Sequence, residues 1–112
     1  MRRDDISLWA DCAKKSPRKA RPHSNLGVAL WRQGRTEEAK KHYTEALRID
    51  PNDAIAHYNF GNMLRRQGKI KEAMNHFSAA IKIKPDFSEA RQNLQRTMQL
   101  IGKSYGASNA ND

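Results

Sequence analysis

Only one cysteine, Cys12, occurs in the 112-residue chain. That excludes an internal disulfide and any multi-cysteine metal site, and it leaves no sign of redox compartment. Its expected state is a small buried residue and not a reactive thiol. No apolar run approaches the roughly 18–20 residues of a membrane-spanning helix. Met1-Arg2-Arg3-Asp4-Asp5 leads into no apolar signal-peptide core. The chain as given therefore reads as soluble and not inserted in a membrane, with the cytoplasm as default compartment. Acidic residues are few as well: 12 Asp and Glu stand against 21 Lys and Arg, a formal charge of +9. Such a balance favours acidic partners, whether peptide, nucleic acid or anionic membrane surface, without choosing among them. A glycine-rich phosphate loop, a Cys–His signature and paired catalytic carboxylates are also missing. No enzymatic activity, cofactor or small-molecule substrate is expected.

What the chain has is periodicity. Gly34, Gly68 and Gly102 stand 34 residues apart, and Gly27 and Gly61 repeat that interval. Laying residues 20–53 over 54–87 pairs His23 with His57, Asn25 with Asn59, Leu30 with Leu64, Ala39 with Ala73, Ala46 with Ala80 and Pro51 with Pro85, with no gap. A fixed period of this length means stacked supersecondary units that bury their apolar faces against their neighbours.

Each period reads as two helices and two breaks. The first helix, over residues 20–33, ends at Gln33-Gly34-Arg35, where glycine takes a left-handed C-cap without a Cβ penalty. Thr36 is the expected N-cap of the second helix, with Glu38 suited to its first turn. That helix carries the stripe Ala39, Tyr43, Ala46, Leu47, repeated as Ala73, Phe77, Ala80, Ile81, at the spacing of one buried face. Pro51 and Pro85 end it.

The flanks keep the register. Stepping back 34 residues from Tyr43, Ala46 and Pro51 reaches Trp9, Cys12 and Pro17, so residues 1–19 read as the second helix of a partial repeat. Repeats over 20–53 and 54–87 follow. Residues 88–102 read as a terminal capping helix, with Gln95 where the register has Gly27 and Gly61. Residues 103–112 lack periodicity and read as a disordered tail.

Leu26-Gly27, Leu30, Gly34, Ala39, Tyr43, Ala46 and Pro51, with their counterparts Phe60-Gly61, Leu64, Gly68, Ala73, Phe77, Ala80 and Pro85, resemble the tetratricopeptide repeat signature. The resemblance covers residues about 5–102. His23 and His57 depart from it, standing where the family often has tryptophan, which implies looser packing. It implies an all-α, right-handed α-α superhelix, here of six helices, whose first helices line a concave groove that commonly holds a peptide.

Asn25, Asn59 and Asn93 share one register position on successive first helices. Neighbouring residues point about 100° apart on a helix, so with Leu26, Phe60 and Leu94 toward the core these amides face the groove edge. An amide offers both donor and acceptor, which matches the backbone of an extended peptide of any sequence. The row is similar to the asparagine ladder of the O-linked N-acetylglucosamine transferase repeats, where such residues bind peptide backbone. The alternative is that each asparagine bonds within its own repeat or to the next.

One turn away, Trp31, Arg32, Tyr58, Asn62, Arg65, Arg66 and Arg96 are the further candidates, together with Arg21, Val28, Ile55, Glu89, Gln92 and Gln99. Five arginines then face one glutamate, a bias that favours an acidic peptide gripped by guanidinium groups. Trp31 or Tyr58 would anchor it, unless these rings pack between repeats. The family's carboxylate clamp, built on lysines and asparagines, is matched poorly, since Ser24 and Val28 occupy its positions. No chaperone-tail clamp is expected.

Within each histidine pair His23/His57 and His42/His76, the members lie a whole repeat apart and not at the four-residue spacing of a metal chelate, so no metal site is expected. Lys14, Lys15, Arg18 and Lys19 cluster at the first turn, while Lys40, Lys41, Arg48, Lys71, Lys82 and Lys84 decorate the second helices. No aromatic platform accompanies them, which disfavours nucleic acid. The function expected is a protein-interaction module for an extended acidic segment. A structural or self-associating segment of a larger protein is the competing class, because Ile6, Leu8 and Trp9 belong to a helix without its partner and could pair with a second copy.

Overall fold

The computed structural model describes residues 3–15 and 20–109, with side chains over 6–15 and 20–101. Six helices follow one another: α1 (Arg3–Lys15), α2 (Ala20–Arg32), α3 (Thr36–Ile49), α4 (Ala54–Arg66), α5 (Ile70–Ile83) and α6 (Ser88–Asn109). The molecule measures 57 × 28 × 20 Å, with a radius of gyration of 15.5 Å. A compact domain of this length would have a radius near 13 Å, so the helices form an elongated stack.

The three-residue breaks inside each repeat follow the glycine pattern. Gly34 and Gly68 hold φ of +80° and +84°, the only positive values among the described residues, and an L side chain there would be strained. The amides of Arg35 and Lys69 reach back to the carbonyls of Leu30 and Leu64, both at 2.9 Å, closing the C-termini of α2 and α4. Thr36 does not cap α3. It is the helix's first residue, Arg35 holds the N-cap position, and no side chain caps the end. Arg35 instead bonds Glu38 through two contacts of 2.9 and 2.7 Å. At the other break Asp53 caps α4, its Oδ1 accepting from the amides of Ile55 and Ala56, each at 3.1 Å.

Close crossing of paired helices builds the core. Ala39, Tyr43 and Ala46 on α3, and Ala73, Phe77 and Ala80 on α5, are all fully buried. A Cβ on Gly61 would stand 2.9 Å from the Phe77 ring and 3.2 Å from the Ala73 carbonyl, and one on Gly27 would stand 3.0 Å from the Tyr43 ring. Glycine at these two positions is therefore what lets each ring reach the backbone of the facing helix. The Tyr43 hydroxyl is buried there without a hydrogen-bond partner, and burial pushes its acidity well outside the ordinary range, to higher pH. The second repeat already has phenylalanine at this place. Tyr43→Phe should accordingly stabilise the protein by about 1 kcal/mol, by removing a desolvated hydroxyl, as read from the urea midpoint at constant slope.

The chain end departs from expectation. The segment 103–112, read as a tail, continues α6 as far as Asn109, and residues 110–112 lie outside the described residues. Gly102 keeps helical geometry, unlike Gly34 and Gly68. In the two full repeats the glycine turn is pinned by a second helix folding back through the close crossing. Gln95 stands where Gly27 and Gly61 admit a facing ring, and among the described residues the helix runs on through Gly102.

Candidate functional site

The stacking order defines an inner wall. Helix α2 touches α4, and α4 touches α6, while among the described residues the backbones of the second helices α1, α3 and α5 do not approach one another. Elements that touch on one side and splay on the other curve toward the touching side. The first helices α2, α4 and α6 thus line the concave face, and the candidate residues all lie on them.

Two contacts tie these helices together through candidate residues. Across α2 and α4, the Arg66 guanidinium sits over the Trp31 indole, 5.4 Å from its centroid, a cation–π geometry. Across α4 and α6, the Asn93 amide nitrogen donates to the Asn62 side-chain oxygen at 2.8 Å and to the Tyr58 hydroxyl at 3.2 Å. Tyr58 also packs its ring against Phe87 and Phe77, with centroids 4.9 and 6.1 Å away. Its ring is a joint between repeats, which leaves Trp31 as the half-buried aromatic of the wall.

The three asparagines divide. Asn93 is engaged by its neighbours, whereas the side chains of Asn25 and Asn59 make no hydrogen bond among the described residues and are half-exposed. The register explains the difference. One repeat earlier the register positions of Tyr58 and Asn62 are held by Ser24 and Val28, of which valine has no acceptor and the Ser24 hydroxyl is buried without a partner. Arg32, Arg66 and Arg96 are exposed, and Arg65 is half-buried with an unpartnered Nε. The wall between α2 and α4 thus offers two open amides, an indole and three arginines.

The histidines pair in a way the sequence reading missed. His23 meets His42, Nδ1 to Nδ1 at 3.2 Å, and His57 meets His76 at 3.0 Å. The partners lie 19 residues apart in both repeats, an offset present in the sequence but obscured by comparing histidines of like register. His57 Nε2 also donates to the Pro51 carbonyl at 2.8 Å. One period later Arg91 does the same to Pro85, with Nε donating at 2.6 Å. Among the described residues no three His, Cys, Asp or Glu side chains converge to hold a metal ion, and no helix is long and apolar enough to cross a membrane.

Residues 20–86 match the tetratricopeptide repeat profile. The chain belongs to the tetratricopeptide repeat family. No curated protein matches it in sequence, but solved tetratricopeptide domains share its shape. The first such domain of Spaghetti (RPAP3), bound to the HSP90 peptide SRMEEVD, superposes with a TM-score of 0.81 at 18% identity, covering 87% of this chain and 77% of that one. The second such domain of human RPAP3, in complex with the HSP70 peptide SGPTIEEVD, gives 0.75 at 22% identity, with 83% and 78% covered. Both likenesses establish an all-α tetratricopeptide solenoid.

Proposed function

We propose that this protein is an interaction module that takes an extended, acidic segment of a partner protein on its inner wall, across α2 and α4. The observation that carries this reading is the Arg66–Trp31 contact between neighbouring inner helices, flanked by the exposed Arg32 and by two amides without partners. An amide that has no bond inside the protein is free to give one donor and one acceptor to a peptide backbone. The indole supplies apolar contact area. Guanidinium groups beside it add selectivity for carboxylates, since each exposed pair contributes only about 0–1 kcal/mol. The two similar domains hold peptides whose ends are acidic, which supports the chemical class of ligand. Ser24 and Val28 argue against the same lysine–asparagine clamp.

Asn59→Ala should weaken binding of an acidic peptide by roughly 1–3 kcal/mol while leaving the unfolding midpoint in place. Fluorescence titration against a panel of acidic and neutral peptides reads this out. Affinity that is equal for both kinds of peptide, or unchanged by the substitution, would sink the reading.

Self-association is the second reading. Met98 is 52% exposed at the register position where Leu30 and Leu64 are buried, and Leu8 and Leu100 are 54% exposed. Gln95 opposes a pairing in which another copy completes the α6 hairpin, because it fills the place where Gly27 and Gly61 admit a ring. Light scattering over a concentration series separates the two readings, since only self-association raises the mass.

A further inference from the structure

Both full repeats carry the same histidine contact, and its geometry is narrow. Ring centroids lie 5.5 Å apart for His23–His42 and 5.2 Å for His57–His76, with interplanar angles of 20° and 33°. Combined with nitrogen separations of 3.2 and 3.0 Å, these values set the two Nδ1 atoms of each pair nearly on the line joining the rings. Lone pair faces lone pair, and the contact is bonding only when one proton sits between the nitrogens. In the second repeat the tautomers follow: His57 donates from Nε2 to the Pro51 carbonyl, so its Nδ1 is bare and His76 supplies the shared Nδ1–H.

We infer that the two histidine pairs form a built-in acid-sensitive latch, each holding its hairpin closed with one shared proton and opening when a second proton enters the contact. A further proton on the far nitrogen of His76 leaves the contact intact but is opposed by burial. A second proton between the two rings would point one N–H at another across 3.0 Å. The folded pair therefore accepts one proton fewer than two free imidazoles.

The surroundings of each pair are mixed in sign. His42 has His23 across the hairpin and Glu38 and Glu45 on its own helix, and Asp11 and Lys14 of α1 line the same cleft. His76 has His57 opposite, Glu72 on its own helix and the Phe60 ring 4.6 Å away, while Lys82 lines the cleft beside His57. Burial holds the His42 and His76 imidazoles below the ordinary histidine range, and the partner histidine adds to the shift, against an opposing pull from the glutamates. Lowered values in the fold mean that the unfolded chain binds protons first as pH falls. Stability is then whole above about pH 6.5 and is lost as the pH drops through the folded values.

The inference does not depend on the proposed peptide function. One missing proton per pair makes the unfolding constant rise up to about tenfold per pH unit, and about a hundredfold for both pairs together. Urea unfolding of the full chain should show this rise between pH 6.5 and 5.5, above the range where carboxylates dominate. In the double variant His42→Gln, His76→Gln the rise should vanish, because an amide can turn its oxygen toward a protonated imidazole. An equal rise in that variant, or a wild-type midpoint flat from pH 7 to 5.5, would overturn the latch. Long-range proton–nitrogen NMR of the wild type at pH 8 tests it without any substitution. A proton on Nε2 of His57 and on Nδ1 of His76 is expected, and Nε2 protonation of both would refute the shared proton.

Discussion

Ala73→Arg should unfold the second hairpin, with a loss of more than about 4 kcal/mol in urea denaturation. Ala73 is fully buried, and its carbonyl lies 3.2 Å from where a Cβ on Gly61 would stand. Two backbones meet there with no room for a long side chain. Overpacking alone would destabilise by about 1–3 kcal/mol, and a guanidinium without a buried partner adds the larger penalty of a desolvated charge. Ala39→Arg should act alike in the first hairpin. Either variant folding with an unchanged midpoint would refute the register in which these alanines mark the helix crossing.

Phe77→Ala is the second large effect, expected at about 3–5 kcal/mol. The ring is fully buried, touches the glycine backbone at Gly61 and meets the Tyr58 ring. Because the facing residue is glycine, that side of the void has no side chain to fill it, which places the variant toward the upper end of that range. Trp9 occupies the same register position in α1 but is only half-buried, so Trp9→Ala should be clearly milder. Equal losses at both sites, measured by the same denaturation series, would mean that burial does not set the energetics of this position.

Much of this architecture was legible because the repeat is physical as well as textual. Gly34 and Gly68 mark left-handed turns, Gly27 and Gly61 mark close crossings, and the alanine–aromatic stripe marks the buried face of the second helices. The parts that escaped depend on a partner far away in sequence. Thr36 has the chemistry of a cap, but Arg35 holds the N-cap position and bonds Glu38. Asn25, Asn59 and Asn93 look identical one by one, yet Asn93 bonds Tyr58 and Asn62 while Asn59 does not bond their counterparts Ser24 and Val28. The histidines showed a 19-residue offset twice, but their meeting required knowing how α2 crosses α3. Residues 103–109 lack the apolar periodicity of the repeats, so their place in α6 was not legible from pattern alone.

The uneven contacts between layers have a mechanical consequence. Inner helices touch while outer helices stand apart, so the stack resembles a fan hinged along its inner edge, and small changes in the outer gaps alter its curvature with little loss of packing. On the proposed reading, low-energy bending of this kind would let the wall adjust its radius to the segment it takes. A segment bridging α2 and α4 would in turn damp that bending, so occupancy should be visible as increased stiffness even where no atom moves far.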